Sequence, residues 1–278
     1  GDDKFISDST ATKINVLGNE GDDQFYVGSV LKTEDVLVEG QIVTVVKEVT
    51  HGATFNDTSY FGGADNDYFE VNHNIAEINL NGDNGDDTFF VKALLTLDED
   101  GELLDLESKT ANVSGVVGEG SEEEADTREV DIDTLVYVEK ANINIDGGAG
   151  FDSVSLVGTV LADTFYIYVE CIDGTDTPGC ETTQRIFGAG VKLKQLLNIE
   201  RIQVLTGGGD DIVYVYGSDM GAIGDLVVNT GSGSDRVIIG GDQIDFKLSY
   251  PKNNDLFYTT VDGFQVNKNT NGQYIASG

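Results

Sequence analysis

Glycine and aspartate recur together along the chain, each time just before a segment in which apolar and polar residues alternate. The stretch Gly18-Asn19-Glu20-Gly21-Asp22-Asp23 runs directly into Gln24-Phe25-Tyr26-Val27. The pattern returns at residues 82–91 and 147–156, and more loosely at 207–215 and 231–239. Glycine allows the sharp turns that aim carbonyl oxygens to one side, and aspartate adds a carboxylate. Together these oxygens form the ligand set that a hard cation prefers.

The spacing of these aspartates indicates a repeating fold. The aspartates that precede an alternating segment are Asp3, Asp23, Asp67, Asp87, Asp152, Asp163, Asp211 and Asp235. The steps from 3 to 23 and from 67 to 87 are both 20 residues, the step from 211 to 235 is 24, and the step from 152 to 163 is 11. A repeat of about 20 residues with a visible half-repeat is what a flattened coil with two strands per turn requires.

Each full repeat carries two strand signals, one before the glycines and one after the aspartate. Apolar residues alternate in both, which is the period of a half-buried strand. The signals lie at 14–16, 78–80, 143–145, 202–204 and 226–228, and at 25–27, 69–71, 89–91, 154–156, 165–167 and 213–215. Inward residues at the same place in successive coils would stack into a continuous core. The sequence therefore predicts an all-β fold, a parallel β-roll or β-helix solenoid with coils of about 20 residues and inserted hairpins or loops.

Four stretches interrupt the repeat, near residues 28–57, 92–140, 169–199 and 240–278. The first predicts a hairpin about Glu39-Gly40, and the second a hairpin at Asp100-Gly101 followed by a solvated acidic run at 119–126. In the third, the segment 186–197 is compatible with a strand or with a short helix. The last is expected to be an irregular C-terminal β region. We expect residues 1–278 to form one elongated solenoid, a segment of a larger protein.

The glycine-aspartate turns resemble the RTX, or hemolysin-type, calcium-binding repeat, whose pattern is G-G-x-G-x-D-x-apolar-x. The stretch Gly147-Gly148-Ala149-Gly150-Phe151-Asp152-Ser153-Val154-Ser155 fits every position. In the copies at 18–25 and 82–89 the second glycine is replaced by Asn19 or Asp83, and these residue types tolerate a left-handed backbone. In that family the calcium ion lies between turns stacked one full coil apart on the same edge.

The resemblance therefore implies calcium between three pairs of stacked turns, which are Asp3 with Asp23, Asp67 with Asp87, and Asp211 with Asp235. The residues that it assigns to metal binding are Asp3, Gly18, Gly21, Asp23, Asp65, Asp67, Gly82, Gly85, Asp87, Asp152, Asp211 and Asp235. Further carboxylates at Asp22, Asp86 and Asp210 would raise the affinity or face water.

The chain departs from this family because insertions break the run of repeats. The neighbour of Asp152 is Asp163, half a period away and so on the opposite edge. We therefore expect Asp152 to lack a stacked partner. The alternative to calcium is a metal-free β-helix whose aspartates accept hydrogen bonds from backbone N–H groups of the turns.

The charge of the chain limits the classes of partner that it can bind. It has 50 acidic and 16 basic residues, a formal net charge of -34. Such a chain repels nucleic acid and anionic membrane surfaces, and it has no apolar run long enough to span a bilayer. It also repels itself on compaction unless cations are bound. We expect no nucleic-acid partner and no membrane insertion, and leave open end-to-end contact with flanking repeats or other copies, and a glycan or surface ligand.

Catalytic constellations are missing from the sequence. Its two histidines, His51 and His73, are expected to lie on the surface. The arginines (Arg128, Arg185, Arg201 and Arg236) are scattered among acidic residues. No nucleophile elbow, zinc-ligand spacing or phosphate loop is present. We therefore expect no enzymatic activity in this chain.

The two cysteines, Cys171 and Cys180, flank a Pro-Gly turn that would bring them together. We expect a disulfide, the alternative being two free thiols, and a short disulfide loop fits an extracellular protein. Sequons at Asn56 and Asn112 are compatible with glycosylation, and two also arise by chance in this much sequence.

The sequence thus predicts a calcium-binding extracellular structural segment of a large surface or secreted protein, adhesin-like or filament-forming. The alternative function is a non-catalytic module attached to, or part of, a β-helix polysaccharide-modifying enzyme.

Overall fold

The computed structural model describes residues 1–98, 128–172, 181–216, 225–239, 265–268 and 274–277. These residues form β-strands, with a single turn of 3-10 helix at Ile132–Thr134. The strands are, in chain order, β1 (Lys4–Ser7), β2 (Asn15–Glu20), β3 (Gln24–Val27), β4 (Val30–Val38), β5 (Gln41–Val49), β6 (Thr58–Ala64), β7 (Tyr68–Val71), β8 (Ile78–Asn84), β9 (Thr88–Lys92), β10 (Leu95–Leu97), β11 (Leu135–Tyr137), β12 (Ile143–Asp146), β13 (Ser153–Val157), β14 (Thr164–Cys171), β15 (Thr182–Gly188), β16 (Val191–Leu197), β17 (Arg201–Leu205), β18 (Ile212–Tyr216), β19 (Asp225–Asn229), β20 (Arg236–Ile239), β21 (Gln265–Lys268) and β22 (Tyr274–Ser277).

Most strands belong to two sheets between which the chain alternates. Sheet 1 has the order β1-β3-β7-β9-β13-β17-β19 and is parallel throughout. Sheet 2 has the order β2-β6-β8-β12-β16-β15-β14-β18-β20 and is parallel except for β15, which runs antiparallel to both neighbours. One circuit of the chain consists of one strand in sheet 1 and one strand in sheet 2. Lys4 pairs with Gln24 and Tyr68 with Thr88, 20 residues apart. The prediction of an all-β chain with parallel sheets is confirmed.

The core takes its residues from both sheets. Parallel pairing in register places equivalent side chains over one another, and the rings of Phe5, Phe25, Phe69 and Phe89 form a stack with centroids 4.9, 4.6 and 4.7 Å apart. Tyr60 of sheet 2 meets Phe25 edge-on at 6.3 Å. The alternating pattern therefore directs the apolar side chains on one face of each strand into a shared core.

The insertions add antiparallel pairs to this arrangement. Strands β4 and β5 form the hairpin expected about Glu39-Gly40, where φ is 49° and 84°. Strands β10 and β11 pair with each other, as do β21 and β22. The hairpin expected at Asp100-Gly101, the acidic run at 119–126 and most of the segment 240–278 lie outside the described residues.

The segment 186–197 is strand, and it belongs to sheet 2 itself. Strands β14, β15 and β16 form consecutive antiparallel pairs, with β15 and β16 joined through Ala189 and Gly190. This triplet fills the place between β12 and β18 in the sheet. The interruption of the repeat expected near 169–199 thus contributes residues 182–197 to sheet 2.

The glycine-aspartate turns lie on two different edges of the structure. On one edge the chain passes from sheet 2 to sheet 1, and we call this the first edge. On the other it passes from sheet 1 to sheet 2, and we call this the second edge. Asp3, Asp23, Asp67, Asp87 and Asp152 each precede a strand of sheet 1, whereas Asp163, Asp211 and Asp235 each precede a strand of sheet 2. The prediction that 14–16 and 202–204 are equivalent is wrong, because β2 lies in sheet 2 and β17 in sheet 1.

Candidate metal centre

Each glycine-aspartate turn spans six residues and ends on the aspartate. Except in the turn that ends at Asp163, its second and fourth residues have a left-handed backbone, with φ of 77° at Asn19 and 116° at Gly21, and of 95° at Gly148 and 149° at Gly150. Residues with a side chain avoid this conformation, except asparagine and aspartate. This requirement explains why glycine recurs at these positions and why Asp65, with φ of 79°, is accepted at one of them.

The aspartates of the first edge form a continuous column. The backbone N–H of each of the first four donates to Oδ1 of the aspartate one circuit further on. The N–O distances are 2.6 Å from Asp3 to Asp23 and 2.8 Å for the steps from Asp23 to Asp67, from Asp67 to Asp87 and from Asp87 to Asp152. We call these five residues the first-edge column. The structure thus brings together both pairs that the sequence predicted on this edge.

Asp152 has stacked neighbours on both sides, so the expectation that it lacks one is wrong. Its Oδ1 accepts from the N–H of Asp87, and its own N–H donates to Oε2 of Glu200 at 2.7 Å. Strand β13 pairs with both β9 and β17, which brings residues 65 and 48 positions away in sequence into adjacent circuits. Glu200 was missed because its turn has no glycine.

In four aspartates of this column, the second carboxylate oxygen is buried and has no hydrogen-bond partner. Asp23, Asp67, Asp87 and Asp152 are at most 2% exposed, and Oδ2 of each has no hydrogen-bond partner. Burial of a carboxylate oxygen without a donor or a cation is costly. Each Oδ2 therefore needs a positive charge or a proton that the surrounding protein groups do not supply.

Glycine at the first position of the turn allows this oxygen to approach the backbone closely. A Cβ placed on Gly82 would lie 2.1 Å from Oδ2 of Asp87 and 2.4 Å from the carbonyl oxygen of Gly147 in the next circuit. At Gly18 the corresponding distances are 2.1 Å to Oδ2 of Asp23 and 2.4 Å to the carbonyl oxygen of Gly62. A carboxylate oxygen and a carbonyl oxygen of adjacent circuits therefore both lie against the same glycine, at a position that no side chain could share with them.

Burial also changes the acidity of the column. It raises the pKa of Asp67 and of Asp152 to about 6 and that of Asp87 to about 7. Neighbouring carboxylates contribute to this increase in each pKa, and a backbone N–H opposes it. Negative charge on this column is thus unfavourable unless a cation accompanies it.

A second, exposed row of side chains runs beside the column at the fifth position of each turn. The N–H of Asn66 donates to Oδ1 of Asp22 at 2.9 Å, and the N–H of Asp86 donates to Oδ1 of Asn66 at 2.8 Å. The N–H of Phe151 donates in turn to Oδ1 of Asp86 at 2.8 Å. These bonds point along the chain in the opposite sense to those of the column. Asp22 and Asp86 therefore hold adjacent turns together, a role that the sequence analysis did not assign to them.

The second edge carries a shorter column in which the buried Oδ2 atoms have partners. The N–H of Asp163 donates to Oδ1 of Asp211 at 2.8 Å, and the N–H of Asp211 donates to Oδ1 of Asp235 at 3.0 Å. The hydroxyl of Thr206 donates to Oδ2 of Asp211, and the N–H of Thr159 donates to Oδ2 of Asp163. The predicted pair of Asp211 and Asp235 is in contact, but its surroundings differ from those of the first edge.

The arrangement limits how a metal ion could be held. Within the described ranges, no three His, Cys, Asp or Glu side chains converge as a metal cage of side chains would require. An ion on the first edge would therefore take most of its ligands from backbone carbonyl groups. The N–H bonds that the metal-free alternative expects are present at Oδ1, and they leave Oδ2 unused.

Outside the turns, a histidine and a cysteine were also singled out in the sequence. His73 is 8% exposed and its Nδ1 lies 2.9 Å from the carbonyl oxygen of Thr50, so its expected surface position is wrong. Cys171 is disulfide-bonded, and Cys180 lies outside the described residues. In the part of the chain that the structure describes, no helix has the length and apolar character needed to cross a membrane.

Comparisons with known proteins do not assign this chain to a family. A scan against protein-family models found no match, and searches of curated proteins and of solved structures found none either. The geometry of the two columns is therefore the basis on which a function is inferred.

Proposed function

We propose that the chain is a calcium-binding parallel β-roll, an extracellular structural segment of a larger surface or secreted protein with an adhesin-like or filament-forming role. The observation that carries this proposal is the row of buried, unpaired Oδ2 atoms in the first-edge column. Four consecutive circuits repeat it, at Asp23, Asp67, Asp87 and Asp152.

The chemistry of this row fits calcium. Calcium prefers six to eight oxygen ligands, from carboxylates and backbone carbonyls, in flexible geometry. Oδ2 of Asp87 and the carbonyl oxygen of Gly147 lie against the same glycine, Gly82, and both are acceptors when Asp87 is ionised. Magnesium demands a near-ideal octahedron and keeps several waters, which suits a narrow gap between stacked turns less well.

Calcium would give the segment its stability outside the cell. A bound ion supplies the positive charge that the buried carboxylates lack, and its binding energy then contributes to folding. Extracellular calcium modules work with dissociation constants of about 10⁻⁴–10⁻³ M. The disulfide at Cys171 agrees with an oxidising environment.

The test is thermal unfolding of the metal-free chain with and without calcium. A single site at a hundredfold excess over its Kd adds about 2.7 kcal/mol, which corresponds to about 5–10 °C in Tm for a chain of this size. We expect calcium chloride to raise Tm by at least this amount, and magnesium chloride at the same concentration to raise it much less.

Asp87→Asn should reduce the calcium effect, because it keeps an acceptor for the N–H of Asp67 but removes the charge. Asp133→Asn is the matched control, since it makes the same change at an exposed position. Superimposable melting curves in calcium and in EGTA, after verified metal removal, would refute the proposal.

A further inference from the structure

Thr206 occupies on the second edge the position that glycine holds on the first. It is the first residue of the turn that ends at Asp211, as Gly82 is of the turn that ends at Asp87. Thr206 is fully buried. Its hydroxyl lies within hydrogen-bond distance of Oδ2 of Asp211 and 2.9 Å from the carbonyl oxygen of Thr230 in the next circuit.

These two partners are equivalent to the two oxygens that lie against the first-position glycine on the first edge. There the pair consists of Oδ2 of the turn's own aspartate and the carbonyl oxygen of the first residue in the next turn, as with Asp87 and Gly147. On the second edge the same pair, from Asp211 and Thr230, has a hydroxyl group between its members.

From this correspondence we infer that the two edges divide in function: the first edge binds the cations, and on the second edge the hydroxyl of Thr206 takes the place of an ion. The inference rests on the proposed function and says where in the chain it operates. A hydroxyl group supplies the donor that Oδ2 needs, and its bulk fills the gap between the turns.

The neighbouring turn of the second edge has glycine at its first position, as on the first edge, and a Cβ on Gly158 would lie 2.4 Å from Oδ2 of Asp163. The difference from the first edge is that other protein groups supply the donors to this carboxylate. Oδ2 of Asp163 accepts from the N–H of Thr159, and Oδ1 accepts from the hydroxyl of Tyr137 at 2.6 Å. Thr159 and Leu161, the second and fourth residues of this turn, are not left-handed, so the turn lacks the backbone form of the others. Every buried carboxylate on the second edge of the described chain is thus supplied with donors by the protein.

The inference predicts a gain of binding when Thr206 is replaced by glycine. Thr206→Gly would give the turn that ends at Asp211 the first-position glycine found at Gly82 and would remove the hydroxyl donor from Oδ2 of Asp211. We expect this variant to bind one more calcium ion per chain than the unaltered protein, measured as bound calcium by equilibrium dialysis and elemental analysis. Thr206→Val removes the hydroxyl but keeps the bulk, and we expect it to bind no additional ion.

A second comparison does not depend on the folding of the Thr206 variants. Asp211→Asn should leave the number of bound calcium ions unchanged, whereas Asp87→Asn should lower it by at least one. Equal losses from Asp211→Asn and Asp87→Asn would overturn the inference while leaving the proposed function intact. Absence of bound calcium from the unaltered chain would instead remove the proposed function and the inference with it.

Discussion

The side-chain amine of Lys140 is buried without a hydrogen-bond partner, close to His73. It is 1% exposed, and its Nζ makes no hydrogen bond. Burial lowers its pKa from 10.5 to about 7, against the opposing effect of Glu139. His73, which is also buried, has its pKa lowered chiefly by burial, and the charge of Lys140 contributes to that lowering. The folded chain therefore gives up a proton that the unfolded chain would keep.

We predict that Lys140→Met stabilises the protein at neutral pH. The unfolded chain binds this proton up to a pH of about 10.5 and the folded chain only up to about 7, so the penalty on folding shrinks as the pH rises between these values. At pH 7 the penalty is on the order of 3–5 kcal/mol. Urea unfolding at pH 7 and at pH 10 should show that the variant is more stable and lacks the alkaline increase.

Lys13→Met is the control for this substitution, because Lys13 is more than half exposed and its contact with Asp57 is 3.7 Å. It should change the free energy of unfolding by less than about 0.5 kcal/mol. A Lys140→Met variant that is less stable than the parent at pH 7 would mean that the amine has a favourable role in the fold.

At the scale of elements, the turns depend on glycine for space as well as for conformation. Gly82 does not have a left-handed backbone, yet a Cβ there would lie 2.1 Å from Oδ2 of Asp87. We predict that Gly82→Ala destabilises the chain by about 1–3 kcal/mol, the usual cost of an overpacked site. Gly208→Ala is the matched control, since its nearest contact would be Oγ of Ser232 at 3.3 Å. Chemical unfolding of both variants measures the difference, and equal costs would contradict the steric argument.

The phenylalanine stack predicts a gradient of cost along sheet 1. Phe69 is 1% exposed and lies between two rings, whereas Phe5 is only partly buried and stacks on Phe25 alone. Phe69→Ala should therefore cost about 3–5 kcal/mol, and Phe5→Ala clearly less. Thermal unfolding of the two variants distinguishes them, and a larger cost at Phe5 would mean that the stack is not a continuous core.

The strands and their pairing across 20 residues could be predicted from the sequence, because apolar alternation and a 20-residue period are local signals. Phe25, Phe69 and Phe89 share a column for this reason. The placement of Asp163 on the opposite edge from Asp152 could be predicted, because a step of 11 residues is half a circuit. The pairing of β13 with β9 and β17 could not be predicted, because the insertions stretch the separations between paired residues to 65 and 48. The role of Thr206 could not be predicted either, because nothing local distinguishes a hydroxyl beside Asp211 from any other buried threonine.

At the scale of the whole molecule, the buried carboxyl groups set the response to pH in the absence of metal. The pKa is raised from 3.8 to about 6 at Asp67, Asp152 and Asp163 and to about 7 at Asp87. Between pH 4 and 7 these four groups therefore bind more protons in the folded chain than in the unfolded chain, and their contribution to stability falls as the pH rises.

We predict that the metal-free chain in EDTA melts at a higher temperature at pH 5 than at pH 8, and that saturating calcium reduces this difference by stabilising the ionised form. Melting curves across this pH range, with and without calcium, test the prediction. A metal-free Tm that rises steadily from pH 4 to pH 7 would contradict it.

The stacking of one aspartate per circuit also fixes a linear density of charge. Adjacent strands of a sheet lie about 4.8 Å apart, whereas two unit charges in water interact with an energy equal to thermal energy at about 7 Å. When ionised, the first-edge column is therefore a short polyelectrolyte, which gathers condensed counterions from the surrounding salt as a nucleic-acid backbone does. A calcium ion that enters the column must displace sodium, so its apparent affinity falls as sodium chloride is added.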